Sequence, residues 1–344
     1  MRNGTEARIS SDGTSSLQRD ILPMLPQRVA AVIERAGISA LVPLEEIRLR
    51  AGKPLVLQNY RKEWFIRADG VLSSKPSGSF CVTHDDIRIS LELMSQNSIY
   101  AYQDEIKNGY ITIKGGHRVG LSGRVIADGG TVRNIKDIAG LNIRLANQII
   151  GCSKKVMGYV IKSGTDIYNT LIISPPQCGK TTILRDIARN LSDGIPEFGF
   201  SGVNVGIVDE RSELAACLRG IAQNNVGLRT DVLDGCPKGI GMPMLIRSMS
   251  PKIIITDEIG NDGDREAVHG VLNAGARIVT SAHGYNVSEL KSRREVLKLI
   301  EDKAFERYIV LGNDDGPGTL VEVIDGTNMK PITGVGAYAI KNCR

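Results

Sequence analysis

Residues 171–182 read Leu-Ile-Ile-Ser-Pro-Pro-Gln-Cys-Gly-Lys-Thr-Thr. An apolar run ends in a tight loop, and Gly179-Lys180-Thr181 opens a helical pattern with apolar positions at Ile183, Leu184, Ile187, Ala188 and Leu191. The first amides of a helix have no partner within it and carry the positive end of its dipole, so strand, glycine loop and helix in this order cradle phosphate groups. Ser174 stands where the usual pattern has its leading glycine, and Pro175 and Pro176 carry no N–H to donate. The donors therefore fall to Cys178, Gly179, Lys180, Thr181 and Thr182, beyond the prolines and Gln177. Gly179 lets the backbone approach an anion closely. Lys180 is expected to reach the β- and γ-phosphates of a nucleoside triphosphate, and the Thr181 hydroxyl to ligate Mg²⁺.

From Tyr168 onward, apolar runs alternate with helical stretches. The runs are Leu171–Ile173, Val203–Val208, Lys252–Ile255 and Arg277–Thr280. This rhythm predicts an α/β domain with a mostly parallel central sheet and crossover helices. Arg307–Leu311 and Thr319–Ile324 read as a closing hairpin.

Polar residues gather where the runs end. Ile253–Thr256 is followed by Asp257 and Glu258. Beside a phosphate loop, Asp257 suits the Mg²⁺ shell and Glu258 suits orienting an attacking water. Val208 is followed by Asp209, Glu210 and, three residues on, Glu213. Such carboxylates repel one another unless a cation or water offsets them. They suit Mg²⁺ binding through water or assistance to hydrolysis, or else a solvated helix start. His283 ends the fourth run, where a γ-phosphate sensor would sit. Arg118, Arg124, Arg133 and Arg144 precede this core, and Arg229 and Arg247 lie within it. Any of these arginines is eligible to reach a phosphate. His84, His117 and His269 carry no signal of their own.

The chain has 344 residues, which suggests two domains. Residues 1–16 are polar and read as a disordered tail. Residues 17–150 read as a smaller mixed α+β domain with its linker, and 151–344 as the nucleotide domain. Within the smaller domain, 17–36 reads as an amphipathic helix broken at Pro23 and Pro26. Glu46 to Leu57 reads as a strand pair turned at Ala51-Gly52-Lys53, and His84 to Met94 as a helix entered at Thr83 with Asp86 in an imperfect capping box. Strands are expected at 110–114 and 117–126. Ile138 to Leu145 is expected to lead out toward a hinge near Gly151.

The net charge of +5 is mild and permits acidic partners without demanding them. Six scattered cysteines form no Cys-x-x-Cys and no zinc spacing, which suggests reduced thiols in a cytosolic protein. No apolar run approaches the roughly 20 residues of a membrane span. Aromatic residues make up 4% of the chain, too few for the stacking platforms of single-strand binding.

The ordered set SPPQCGKTT, VDERSE, PKIIITDEIG and TSAHG resembles the secretion-type branch of the RecA-like P-loop ATPases. EEIRLR at 45–50, GGHRVGLSGR at 115–124 and NIRL at 142–145 are similar to a sporulation family within that branch. The resemblance covers roughly 45–325. It implies a RecA-like core using ATP and Mg²⁺, with Ser174–Thr182 as nucleotide loop and Asp209, Glu210 and Glu213 as an acidic box. Glu258 is then the catalytic glutamate and His283 the sensor. Arg124 and Arg144 are the candidates for an arginine finger. It further implies a homo-oligomer, a hexameric ring with nucleotide at its seams. Such a ring would energise or assemble a channel between mother cell and forespore from the mother-cell cytoplasm. Its membrane contact would be peripheral, through membrane-embedded channel proteins. A single-stranded nucleic-acid ATPase and an ATP-binding ring with little hydrolysis are the alternatives. The tetracysteine zinc element of some secretion motors has no counterpart in the sequence.

Overall fold

The computed structural model describes residues 16–37, 44–59, 62–146, 148–176, 178–314 and 316–332. Residues 1–15 of the tail expected at 1–16, Gln177 and Cys343 lie outside them. The chain divides into two compact units, 8–148 and 149–344.

The first unit opens with short helical turns at Leu17–Ile21 and Leu22–Met24. Pro26 then caps helix α1, Gln27–Arg35, which buries Val29, Val32 and Ile33. This is the i, i+3, i+4 stripe of an amphipathic helix interrupted by its prolines. The strands are β1 Glu46–Arg50, β2 Val56–Gln58, β3 Glu63–Ile66, β4 Leu72–Ser73, β5 Tyr110–Ile113, β6 His117–Asp128 and β7 Thr131–Arg144. They form one antiparallel sheet in the order β4-β3-β2-β1-β7-β6-β5. In β1, Ile47 and Leu49 are buried while Glu46, Arg48 and Arg50 are half-exposed, the period of a strand with one covered face. Helix α2, His84–Met94, starts from a complete capping box: the Thr83 hydroxyl accepts from the Asp86 amide, and the Asp86 carboxylate accepts from the Thr83 amide at 2.7 Å. A five-residue helix α3, Gln103–Lys107, precedes β5.

Residues 131–144 differ from expectation, being one 14-residue strand rather than a lead-out. Only residues 140–144 pair with both β1 and β6; the preceding part pairs with β6 alone in a two-stranded ribbon. Register shifts between Ser122 and Arg124 and between Ile126 and Ala127 interrupt the pairing, and the apolar Val132, Ile135 and Ile138 recur every third residue, so the strand period is not visible in the sequence.

The second unit carries small hairpins β8 Ile161–Ser163 with β9 Asp166–Ile167, and β11 Gly194–Ile195 with β12 Phe200–Ser201. Its main sheet uses β10 Thr170–Ser174, β13 Val205–Asp209, β14 Thr230–Asp234, β15 Ile253–Glu258, β16 Arg277–His283, β17 Arg307–Gly312, β18 Thr319–Asp325 and β19 Lys330–Pro331. The order is β14-β13-β15-β16-β10-β17-β18-β19. Pairing is parallel from β14 to β17, and antiparallel from β17 through β19. The α/β class with its mostly parallel sheet and closing hairpin is therefore present. Strand β14 was not signalled, because an edge strand reading Thr-Asp-Val-Leu-Asp is only half-buried and has no apolar run.

Helices cover both faces. They are α4 Lys154–Val160, α5 Lys180–Asp193, α6 Lys238–Met249, α7 Asp262–Asn273, α8 Val287–Leu290 and α9 Arg294–Glu301. Strand β10 is buried on both sides: Ile172 packs with Ile183, Leu184 and Ile187 of α5, while Leu171 and Ile173 belong to the core that holds Leu245, Val268 and Leu299. A strand buried on both faces reads as a continuous apolar run.

Asp186 of α5 ties this helix to the start of the unit. Its carboxylate accepts from the Gly151 amide at 3.0 Å, the Ser153 amide at 2.8 Å and the Ser153 hydroxyl at 2.7 Å, and pairs with Arg189 at 2.7 Å. Burial pushes the carboxyl up, but the Ser153, Gly151 and Arg189 bonds outweigh it and hold it below the usual range. Its stabilisation is present above the ordinary aspartate pKa and lost as pH falls through the lowered folded value. Asp186→Ala is expected to destabilise this unit by roughly 3 kcal/mol by orphaning those amides. Hydrogen exchange of the β10 and α5 amides reads this directly.

In the first unit, His117 is buried and its Nδ1 accepts from the Ala146 amide at 2.9 Å. Burial pushes its pKa down to about 4, against the opposing pull of Asp20. The folded unit thus keeps His117 neutral while the unfolded chain protonates it, so stability falls as pH drops from about 6.5 toward 4, by at most about 3 kcal/mol. Urea titrations followed through Trp64, the single tryptophan, are expected to show this loss and its reduction in His117→Gln.

Candidate functional site

The parallel strands end on one edge of the sheet, and their register brings the sequence-selected residues together. Ser174 of β10 lies opposite His283 of β16, and Glu258 of β15 lies opposite Ser281 of β16. The loop after Ser174 enters α5 through Gly179, whose φ of +77° is left-handed and suits glycine. A cavity of about 330 Å³ opens there. Pro175, Pro176, Cys178, Gly179, Lys180, Thr181 and Thr182 line one side, and Arg211, Glu213, Asp257, Glu258, Ser281 and His283 the other. The first amides of α5 have no intrahelical acceptor, so this wall is rich in N–H groups.

Lys180 is 9% exposed, and its pKa is pushed down to about 8 by burial, against the pull of Glu258. Its Nζ lies 3.5 Å from the Ser174 carbonyl and contacts His283 Nδ1. The same Nζ lies 3.3 Å from His283 Nε2, so the ammonium sits against the edge of the ring. Nε2 lies 3.1 Å from Glu258 Oε2. Lys180, His283 and Glu258 thus form a continuous polar chain from the phosphate loop across β16 to the end of β15.

The acidic segment divides into three different environments. Asp209 was expected at a metal, but it is fully buried and its two oxygens accept from the amides of Glu213 and Ala215, each at 2.8 Å. It anchors the loop that follows β13 and is not open to a ligand. Glu210 is absent from the cavity wall and pairs with Lys238. Glu213 reaches the cavity. Ser174 is fully buried at the end of β10 and contributes its carbonyl to Lys180.

Arg124 and Arg144 belong to the first unit, where they pair with Asp137 at 2.9 Å and Glu46 at 3.1 Å. Arg118 lies over the Tyr110 ring, and Arg133 pairs with Asp128. Arg229 and Arg247 donate to the carbonyls of Ser192 and Pro243. The arginine on the cavity wall is Arg211, 3.9 Å from Glu258 Oε2. Its position inside the acidic segment masked it in the sequence. Lys238 was also missed. It is 4% exposed, pairs with Glu210, and lies 3.0 Å from Asp257 Oδ1. Burial pushes the Asp257 carboxyl up, and Lys238 counters this.

Among the described residues, no three His, Cys, Asp or Glu side chains converge to hold a metal unaided. Mg²⁺ commonly uses one or two carboxylates with substrate phosphates and water, and Thr181 and Asp257 on one cavity fit that mode.

This site on this sheet defines a RecA-like secretion-ATPase fold. The structure matches the Legionella pneumophila ATPase DotB with a TM-score of 0.56 at 12% identity, covering 92% of this chain and 85% of that one. It matches the pilus retraction motor PilT with bound ADP at a TM-score of 0.54 and 13% identity, over 90% and 86% of the two chains. Residues 15–330 match the family model for Sporulation stage III, protein AA, and the chain belongs to that family. It is 41% identical over 318 residues to Stage III sporulation protein AA of Bacillus subtilis (strain 168), across 92% of this chain and 98% of that protein.

Proposed function

We propose that the chain is a Mg²⁺-dependent ATPase that works as a secretion-type motor in sporulation. The observation that carries this reading is the chain Lys180–His283–Glu258 facing the helix-start amides across one cavity. The amides of 178–182 and the Lys180 ammonium hold the phosphates, and Thr181 and Asp257 serve the Mg²⁺ shell. Bound Mg²⁺ supplies charge neutralisation of the phosphates. Glu258 polarises the attacking water, and His283 orients Glu258 while reporting on the phosphate through Lys180. Arg211 adds positive charge on the same wall, and Glu213 faces it from the acidic loop. Arg124 and Arg144 remain the candidates for a finger supplied by a neighbouring copy.

The likeness to secretion and pilus ATPases supports a homo-oligomer, proposed here as a hexameric ring. Membership of the sporulation family supports a place on the mother-cell side of a mother cell–forespore channel. None of the described helices is long and apolar enough to cross a membrane, so membrane contact is assigned to partner channel proteins.

Lys180→Ala is expected to abolish ATP binding in calorimetry; micromolar affinity in that variant removes the cradle assignment. Glu258→Gln is expected to keep ATP binding and lower turnover by about 10²–10⁴. Equal rates for this variant and the wild type would overturn its role. If a neighbouring copy completes the site, turnover per subunit rises with protein concentration through the assembly range, and a flat profile speaks against shared sites.

A further inference from the structure

Lys238 is placed against two general preferences of proteins. It is a lysine with 4% of its surface exposed, and it is the first residue of α6, where the helix dipole disfavours a cation. Its compensation is a pair of carboxylates at the ends of two neighbouring strands: Glu210 just beyond β13, and Asp257 in β15. The backbone is arranged for this reach. A Cβ on Gly241 would stand 2.6 Å from a methyl of Val208, so the first turn of α6 packs on β13 more closely than any side chain at 241 permits.

Asp257 is held at two points. Its carbonyl accepts from the Thr280 hydroxyl at 2.7 Å, which fixes the main chain against β16. Its Oδ1 is buried without a hydrogen-bond partner and is held instead by the charge of Lys238, 3.0 Å away. Lys238 and Glu210 are not part of the cavity wall, whereas Asp257 is. Lys238 therefore approaches the carboxylate from outside the cavity.

We propose that Lys238 is a positioning residue that fixes the Asp257 carboxylate from behind, with Glu210 holding the ammonium in place, so that Asp257 faces a nucleotide-bound divalent cation. This rests on the ATPase reading of the site. Groups that orient a metal ligand from the outer shell typically contribute 10–100-fold in metal affinity. The assignment also gives Glu210 a task distinct from catalysis: it is the second anchor of a buried cation.

The test is the ratio of affinities for a nonhydrolysable ATP analogue with saturating Mg²⁺ and with EDTA, measured by calorimetry on the full chain. Lys238→Met is expected to lower this ratio about 10-fold or more while leaving the EDTA affinity within about twofold of wild type. Asp257→Asn is expected to lower it as well. The double variant is expected to be no worse than Asp257→Asn alone, because Lys238 acts through Asp257. Should Lys238→Met fail to fold by circular dichroism, Lys238→Gln, which keeps a donor without the charge, goes through the same cycle, with a smaller fall in the ratio expected and none beyond that of Asp257→Asn in the double variant. An unchanged ratio in the Lys238 variant, or losses that multiply in the double variant, overturns the proposal. A wild-type chain that binds no analogue overturns the ATPase reading and this inference with it, whereas a binding wild type with an indifferent Lys238 variant overturns the inference alone.

Discussion

The site depends on the register of one buried strand. With β10 locked between β16 and β17 and apolar on both faces, Ser174 must stop opposite His283, and the chain must turn there. A slip of one residue would send every side chain of β10 to the opposite core, exchanging Ile172 with the Leu171 and Ile173 set. The placement of Lys180 beside His283 follows from that register. So does the meeting of His283 with Glu258, because β16 pairs with β15 on its other edge. Precision in the polar groups is thus inherited from packing in the apolar ones.

Charge is the second constraint. Two lysines are buried at the same edge of the sheet: Lys238 lies between the carboxylates of Glu210 and Asp257, whereas Lys180 meets the Ser174 carbonyl and His283 within the field of Glu258. An unpaired buried charge is strongly destabilising, so each lysine needs its partners and each partner needs its lysine. The loop after β13 shows how finely this is divided. Asp209 spends both oxygens on backbone amides, Glu210 turns to Lys238, and Glu213 alone reaches the cavity. Ser212, at positive φ between Glu210 and Glu213, bends the backbone there, and Ala216 is again at positive φ just beyond. Non-glycine residues in that region store strain of order 1 kcal/mol or more each.

Sequence legibility followed the range of the interactions. The β10–loop–α5 unit was readable because strand, turn and helix signals are contiguous from 170 to 193, and Asp257, Glu258 and His283 because each ends an apolar run. The capping box at Thr83 was readable because it closes over three residues. The outer half of β7 was not, because its irregular register spaces Val132, Ile135 and Ile138 by three residues rather than two. Asp209 was misjudged because an acidic residue bound by amides and one open to a ligand are spelled alike. Lys238 was invisible because a lysine after a proline at a helix start reads as solvent-exposed. Its burial is decided by residues far along the chain, Glu210 and Asp257.

These contacts bear on how the cavity can work. Lys180 is partly stripped of water by the fold, which is why its pKa stands near 8. A phosphate group would return to it the negative charge that burial took away, and it would meet amides already aligned by α5. Donors held by the packing of α5 need little further ordering to meet an anion, so more of the interaction energy would appear as affinity. Glu258 likewise has fixed neighbours, His283 Nε2 at 3.1 Å and the Arg211 guanidinium at 3.9 Å. Since His283 bridges Lys180 and Glu258, an anion that draws the Lys180 ammonium away from Nδ1 changes what holds Glu258. Under the proposed function, occupancy of the phosphate loop would be felt at Glu258 through these two contacts of His283.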